Sequence, residues 1–344
     1  MKMRNYILLL AAFSFIKVNA QDIHFAQFTE TSTYINPAKT GLVNGHARAN
    51  LNYRGQWGIL GSSYKTYSFA YDMPILRNGR NAYLGAGLMA FRDKAGDGNL
   101  GETNLAGLIS GLLKISPSNT ISVGFKGGYV WESVSAGNLT WDNQFNGTNY
   151  DAGLTSGEGF NSNFGYFDYS TGINWQYKSK SGTITSNDQF EMNIGGAYSH
   201  FTRPSLQFKG GDKLYSKITV HADAAIGLKG TNISLIPALI FYKQSNQIEI
   251  LMGGIFKYAL KRDAHFTGFK RGSSIGFGAM YRYRDAIIPT ITFEYADFAV
   301  GVSYDLNVST LSPYTKGLGG IEVSLRYVDV LGNLFGNTPS HGRY

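Results

Sequence analysis

No cysteine occurs anywhere in the chain. That absence excludes disulfide staples, thiol catalysis and thiolate metal sites, and with them a lipid anchor on an N-terminal cysteine. Stability must then come from size and hydrogen-bonded architecture. Long apolar runs are missing as well. After the opening segment, no stretch reaches the roughly eighteen apolar residues of a membrane-crossing helix. Lysine and arginine never gather into a run. The net charge of +8, which falls to +5 without Lys2, Arg4 and Lys17, is spread along the chain. Such a balance carries no nucleic-acid signature. Sets of residues for chemistry are scarce too. Of His24, His46, His200, His221, His265 and His341, only His221 has a close acidic companion on its face, Asp223, and a metal site needs three or four ligands. Gly85-Ala86-Gly87 sits in a strand pattern with no helix after it, so it is not a dinucleotide loop. No Ser/His/acid set and no catalytic carboxylate pair stands out. The expectation is a protein that is not an enzyme and holds no metal or cofactor.

What is present points elsewhere. Lys2 and Arg4 precede an apolar stretch, Tyr6 to Ile16, and Val18-Asn19-Ala20 supplies small residues at the positions a signal peptidase reads. Residues 1–20 therefore read as a signal peptide cleaved before Gln21. The chain is rich in 23 Tyr, 22 Phe and 43 Gly, yet its mean hydropathy is −0.16. Exported, cysteine-free, aromatic and moderately polar is the composition of an outer-membrane β-barrel.

Period-two alternation carries the fold. Such a barrel turns apolar residues to lipid and polar ones to its lumen. From Ala47, Leu51 and Tyr53 alternate with Arg48, Asn50, Asn52 and Arg54. From Ile121, Val123 and Phe125 alternate with Ser122, Gly124 and Lys126. The same holds for Phe167 to Tyr177 around Asp168, for Ile218 to Ile226 around His221 and Asp223, for Phe298 to Leu306 around Asp305, and for Ile321 to Tyr327 around Glu322 and Arg326. Weaker alternation near 64–73, 82–92, 103–114, 190–200, 233–243, 248–258, 273–284 and 287–296 brings the count to about fourteen strands, roughly ten residues each. Segments 103–114 and 233–243 fit period two poorly, and Pro237 and Pro289 fall inside expected strands. The expected class is all-β: an antiparallel transmembrane barrel over 46–328, with lipid as its outer partner and a tail from 329 to 344. Tyr53, Tyr129, Trp131, Trp175, Tyr177 and Tyr327 are placed to form aromatic girdles. Ser133 to Phe164 and Thr202 to Ser216 read as long outer loops. Lys261 to Arg271 is long for the side on which alternation puts it, which would also fit a miscounted strand.

The inward set carries both signs. Arg48, Arg54, Lys126, Lys229, Arg284 and Arg326 stand against Asp168, Glu191, Asp223, Glu294, Asp305 and Glu322, with His221 among them. A selective pore shows rings of one sign, so a mixed lumen reads as salt-bridged or plugged. Residues 21–45 precede the first strand and are either that plug or a periplasmic tail.

Two groups of residues carry a resemblance. The first is Gln21-Asp22-Ile23-His24-Phe25-Ala26-Gln27-Phe28, Asn36-Pro37-Ala38 with Gly41, and Tyr53-Arg54 with Trp57. The second is Tyr281-Arg282 with Asp285-Ala286, then Tyr304-Asp305 with Asn307 and Ser309, then Gly320, Glu322 and Ser324. Together and in this order they resemble the PorP/SprF family of outer-membrane proteins of the type IX secretion and gliding system of Bacteroidetes. Ile23 departs from the pattern, which usually has proline there. The resemblance implies a barrel that works with periplasmic secretion components. It also implies export or surface retention of large adhesin-like cargo; on physical grounds, long outer loops or the barrel mouth could hold such cargo by its C-terminal domain. A passive transporter of hydrophobic or small polar ligands is the competing expectation.

Overall fold

In the computed structural model, the described residues are 22–56, 64–77, 81–96, 98, 100–134, 140–155, 157, 163–179, 187–207, 212–261, 272–309, 312 and 317–329. Fourteen strands follow one another: β1 (Ala47–Gln56), β2 (Tyr64–Ile75), β3 (Ala82–Ala95), β4 (Leu100–Ser116), β5 (Asn119–Ser133), β6 (Asn163–Lys178), β7 (Phe190–Ser199), β8 (Lys217–Gly227), β9 (Ile233–Gln244), β10 (Gln247–Lys261), β11 (Ser273–Arg282), β12 (Ala286–Tyr295), β13 (Phe298–Asn307) and β14 (Leu318–Asp329). Each pairs antiparallel with its neighbours, and β1 closes on β14, with Ala47 opposite Asp329 and Gln56 opposite Gly320. Closure leaves no unpaired sheet edge, which is what a strand-built protein needs in lipid. The even count puts the start of β1 and the end of β14 on one rim, the terminal rim. The ends of β5 and β7, which lead into the two long connections, lie on the opposite, loop rim. With fourteen strands observed, the length of 262–271 reflects no miscounted strand, and those residues lie outside the described set.

The outer surface is the apolar face. Leu105, Ile109, Val123, Ile173, Phe256, Ile291 and Val302 are all exposed. Aromatic pairs gather toward both rims. Tyr53 meets Tyr67, and Tyr129 meets Trp131 and Phe167, near the loop rim. Trp175, Tyr177 and Phe190 form a chain, and Phe298 meets Tyr327, near the terminal rim. Amphipathic rings favour these interfacial depths.

Inside the barrel lies the segment Asp22–Asn44. It includes a helical turn, Ser32–Ile35, and a 3-10 turn, Pro37–Lys39. Phe25, Ala26, Phe28, Ile35, Asn36, Ala38 and Thr40 are all buried. The segment bonds to wall residues nearly all the way round, from Asp72 on β2 through Ser110, Ser122 and His221 to Glu322 on β14.

This contact explains where alternation fails. On β9 the inward side chains are Ala238, Ile240 and Tyr242, which pack with Leu251, Met280 and Ile288 against Ala26, Phe28 and Ile35. On β4, Ala106 and Leu108 point inward and join Met89 and Phe91 against Ile23 and Tyr34. The register there is ordinary; the inner wall is locally apolar because the segment presents apolar groups to it. The prolines have their own accommodation. Pro237 pairs with Gly254 on one side, while the β8–β9 ladder skips from Asp223–Ala238 to Ile226–Leu235. Pro289 pairs with Ala279, while the β12–β13 ladder skips from Ile287–Leu306 to Thr290–Ser303. A residue without an N–H is tolerated where one ladder lapses. Two inward expectations fail: Lys229 and Arg284 sit in exposed turns just beyond β8 and β11.

Candidate functional site

Residues from both sequence groups, far apart in the chain, meet at one place, a charged clasp around the start of the lumen segment. Arg54 of β1 is its centre. Its guanidinium donates to Asp305 Oδ2 of β13 at 2.8 Å, to the His24 carbonyl at 2.9 Å and to Glu322 Oε2 of β14 at 3.4 Å. Arg282 of β11 donates to the same Asp305 oxygen and to Asp285, both at 3.0 Å. Arg282 also approaches Glu249, which faces His24 Nδ1 at 3.6 Å. Two arginines thus face four carboxylates, of which Asp305, Glu322 and Glu249 lie inside the barrel and Asp285 is partly exposed. Buried charge is tolerable only with that pairing.

The segment reads this clasp through its backbone. The N–H groups of Ala26 and Gln27 donate to the two oxygens of Glu322 at 2.7 and 2.8 Å. The Gln27 amide donates to Ser303 Oγ and to the Glu322 carbonyl, each at 3.2 Å, and accepts from Ser324 Oγ at 2.7 Å. A side chain on Gly301 would bring a Cβ within 2.1 Å of Gln27 Oε1, so the glycine makes room for that amide. Charge-assisted bonds to a carboxylate are the strong ones.

Further along, Asn36 anchors the segment to three strands. Its amide donates to the carbonyls of Ile173 and Gly196 and meets His221 Nε2 at 3.0 Å, while its oxygen accepts from the Ala38 N–H. Pro37 lies against Gly124, where a Cβ would fall 2.2 Å from the Pro37 carbonyl carbon. Lys39 bonds, at 2.8 Å, the same Asp223 oxygen that His221 approaches at 3.8 Å. Gly41 takes φ +70° and gives its N–H to Asp72, which also holds Arg48.

Several further inward charges are paired. Arg326 bridges Glu30 and Glu294, and Lys257 completes that group. Lys126 sits 3.8 Å from Asp168. Glu191 receives Gln176 and Lys178. At the loop-rim end, Asp22 accepts from Gln244 at 2.9 Å and from Lys217 at 3.3 Å, and its other partner is His200 at 2.7 Å. His200 reaches Asp168 with its second nitrogen at 2.8 Å.

Not every residue of the two groups enters the clasp. Phe28 and Ala286 belong to the apolar cluster, and Phe25 packs edge-on to Tyr34. Tyr53, Tyr281 and Tyr304 alternate to the outer face. Asn307 caps the Leu318 carbonyl, Ser309 N–H bonds the Asp285 carbonyl, and Gly320 lies against Gly55 of β1. Gln21 and Trp57 lie outside the described residues. The sequence pattern did not single out Gly172, where a Cβ would fall 2.1 Å from Asn36 Oδ1, nor His200 and Gln244. Inward-parity glycines such as Gly124 and Gly301 were a usable signal for close approach. His200 and Gln244 stand at strand ends, where alternation says nothing of partners.

The comparisons with known proteins come down to one family and a set of barrels. The family model described as type IX secretion system membrane protein PorP/SprF matches residues 17–327. No curated protein matches the chain. Among solved structures, the toluene transporter TbuX of Ralstonia pickettii shares 12% identity over 87% of this chain and 92% of its own, with a TM-score of 0.49. A FadL homologue of Pseudomonas aeruginosa shares 11% over 87% and 94%, with a TM-score of 0.46. BamA of Haemophilus ducreyi, without POTRA domains 1–3, shares 9% over 83% and 70%, with a TM-score of 0.42. These likenesses concern barrel form.

Proposed function

Because the chain belongs to the PorP/SprF family of type IX secretion system membrane proteins, we propose that it is a non-enzymatic outer-membrane barrel that supports export or surface anchoring of particular adhesin-like cargo proteins. The terminal rim then faces the periplasm and its secretion machinery, and the loop rim faces the exterior. The observation that carries this reading is the occupied lumen. A segment largely buried between Phe25 and Thr40 and bonded round the wall favours the barrel's surfaces, rather than a water-filled pore, as its working parts. Cargo would meet the loop rim through its C-terminal domain, and periplasmic components would meet the turns of the terminal rim.

One observation favours passive transport instead. A small, mostly apolar cavity of about 30 Å³ lies between Phe28 and the inner wall at Ile236, Ile255, Met280 and Thr292. Deleting the gene in its native host and comparing secreted and surface proteomes separates the two. Selective loss of one or a few large proteins sharing a C-terminal domain is expected. An unchanged proteome would sink the secretion reading and direct attention to uptake of apolar solutes.

A further inference from the structure

Many charges of the strands turn into the lumen, where carboxylates answer cations. The outer wall holds a cluster of another kind. Alternation turns Lys65 of β2 and Arg92 and Lys94 of β3 to the lipid side, and all three are exposed. Lys65 lies directly opposite Lys94, and Arg92 stands one row below them, opposite Tyr67. Like charges directly opposite each other destabilise a ladder. An anion placed between them reverses the sign of that interaction, yet the strands supply none. No acidic residue takes an outward position on β1 to β4. Asp93, between Arg92 and Lys94 in the chain, turns inward and accepts from Thr66.

The cluster sits at a defined depth. One cross-strand row runs from β1 to β5 as Tyr53, Tyr67, Arg92, Thr103 and Trp131. Amphipathic rings of this kind settle at the level of lipid headgroups. The next row toward the loop rim is Gly55, Lys65, Lys94, Gly101 and Ser133. No bulky side chain of that row crowds the two lysines. The Tyr53 hydroxyl leans over Gly55, where a Cβ would fall 2.9 Å from that oxygen. Below Arg92 the wall has low relief. Ala90 lies between Phe69 and Leu105 in its row, and a Cβ at Gly107 would meet nothing within 4 Å. Two ammonium groups and a guanidinium thus stand at the head of an apolar furrow that faces lipid. A water-soluble acidic partner has no use for the furrow; an anionic lipid uses both parts.

From this arrangement we infer that Lys65, Lys94 and Arg92 form a binding site for the phosphorylated headgroup of an outer-leaflet glycolipid. A phosphate between the two lysines turns their repulsion into attraction, and the Arg92 fork takes two of its oxygens from below. The acyl chains run down the wall past Ala90 and Gly107. That this rim meets the outer leaflet rests on the orientation proposed above; the affinity for a phosphorylated lipid does not.

The test is a titration of the purified full-length protein with lipid A, read by native mass spectrometry from detergent micelles. Enzymatically dephosphorylated lipid A and inorganic phosphate are the companion probes. Wild type is expected to bind lipid A and to bind the dephosphorylated form roughly a hundredfold more weakly, since each basic residue near an anionic lipid surface contributes about a fivefold change in affinity. The triple variant Lys65→Gln, Arg92→Gln, Lys94→Gln should lose the same factor. Lys243→Gln, at a lone outward lysine between Ile218 and Ile248 on the far side of the barrel, should lose nothing. Equal binding of the two lipids by wild type would overturn the site without recourse to any variant. So would a triple variant that binds as wild type does, an equal loss in Lys243→Gln, or displacement of lipid A by low millimolar inorganic phosphate, which would mark a site for the free anion. The titration uses purified protein, so its failure leaves the secretion reading untouched, and an unchanged proteome leaves the lipid site untouched.

Discussion

Two sectors of the inner wall grip the same segment by opposite means. The sector from β13 through β14 to β1 is charged: Asp305, Glu322 and Arg54 hold the backbone of His24, Ala26 and Gln27. The sector from β9 to β12 is apolar: Ile240, Leu251, Met280 and Ile288 hold Ala26, Phe28 and Ile35. The charged sector fixes register, because a carboxylate meeting two consecutive N–H groups accepts one alignment of the chain. The apolar sector supplies non-directional burial. Alone, the first would leave the segment tied but poorly packed, and the second would let it slide.

Removing one partner from each sector separates the two grips. Arg54→Ala should cost most, about 3–5 kcal/mol in the free energy that keeps the segment seated, because Glu322 remains buried without its cation and Asp305 keeps only Arg282. Hydrogen exchange at the Ala26 and Gln27 amides reads that cost locally, as a rise of two orders of magnitude or more. A change of less than tenfold would show that the charged sector holds the segment no more tightly than a surface pair. Phe28→Ala comes next, at about 3 kcal/mol from lost burial and the cavity left behind. The two residues share no partner, so the double variant should show the sum of the two costs. A sum falling well short would mean that the two sectors release as one unit.

The same division governs how much could be read from the chain. Strands facing charged or polar lumen positions alternate cleanly, so β1, β5, β6, β8, β13 and β14 were legible almost residue by residue. β4 and β9 were harder, because Leu108, Ile240 and Tyr242 turn inward toward a partner that the local pattern cannot show. Arg54, Asp305 and Glu322 were readable as inward charges and as parts of the family pattern. That they meet Gln27 at one point was not, since their juxtaposition depends on closing β1 against β14. Lys229 and Arg284 were misplaced for a simpler reason: alternation was carried one step past the end of the strand, into a turn where parity loses its meaning.

Asn36 tests a smaller element on the third side of the segment, between the two grips. Asn36→Ala leaves His221 Nε2 and the carbonyls of Ile173 and Gly196 without their donor in a buried place, at about 1–3 kcal/mol. Asn36→Asp should not rescue it, since a carboxylate cannot donate to those carbonyls. Recovery of wild-type exchange protection at Ala38 in the aspartate variant would show that the cap to the Ala38 N–H, not the donation, is what matters.

The last effect expected is one of pH, at the loop-rim end of the segment. His200 stands just past the end of β7, and burial works against its charge. Asp22 and Asp168 on its two nitrogens more than offset that and push it up to about 9. Lys217 beside Asp22, Lys126 beside Asp168, and Glu102 in the same cavity complete its surroundings. Because its folded value lies above the ordinary one near 6.5, its contribution is full below about 6.5 and is lost as pH rises through about 9. The urea midpoint of the wild type should therefore exceed that of His200→Gln at pH 6, and the gap should close by pH 10. A gap that stays constant across that range would mean that the imidazole holds Asp22 by hydrogen bonding alone, and that charge belongs to the Arg54 clasp and not to this end of the segment.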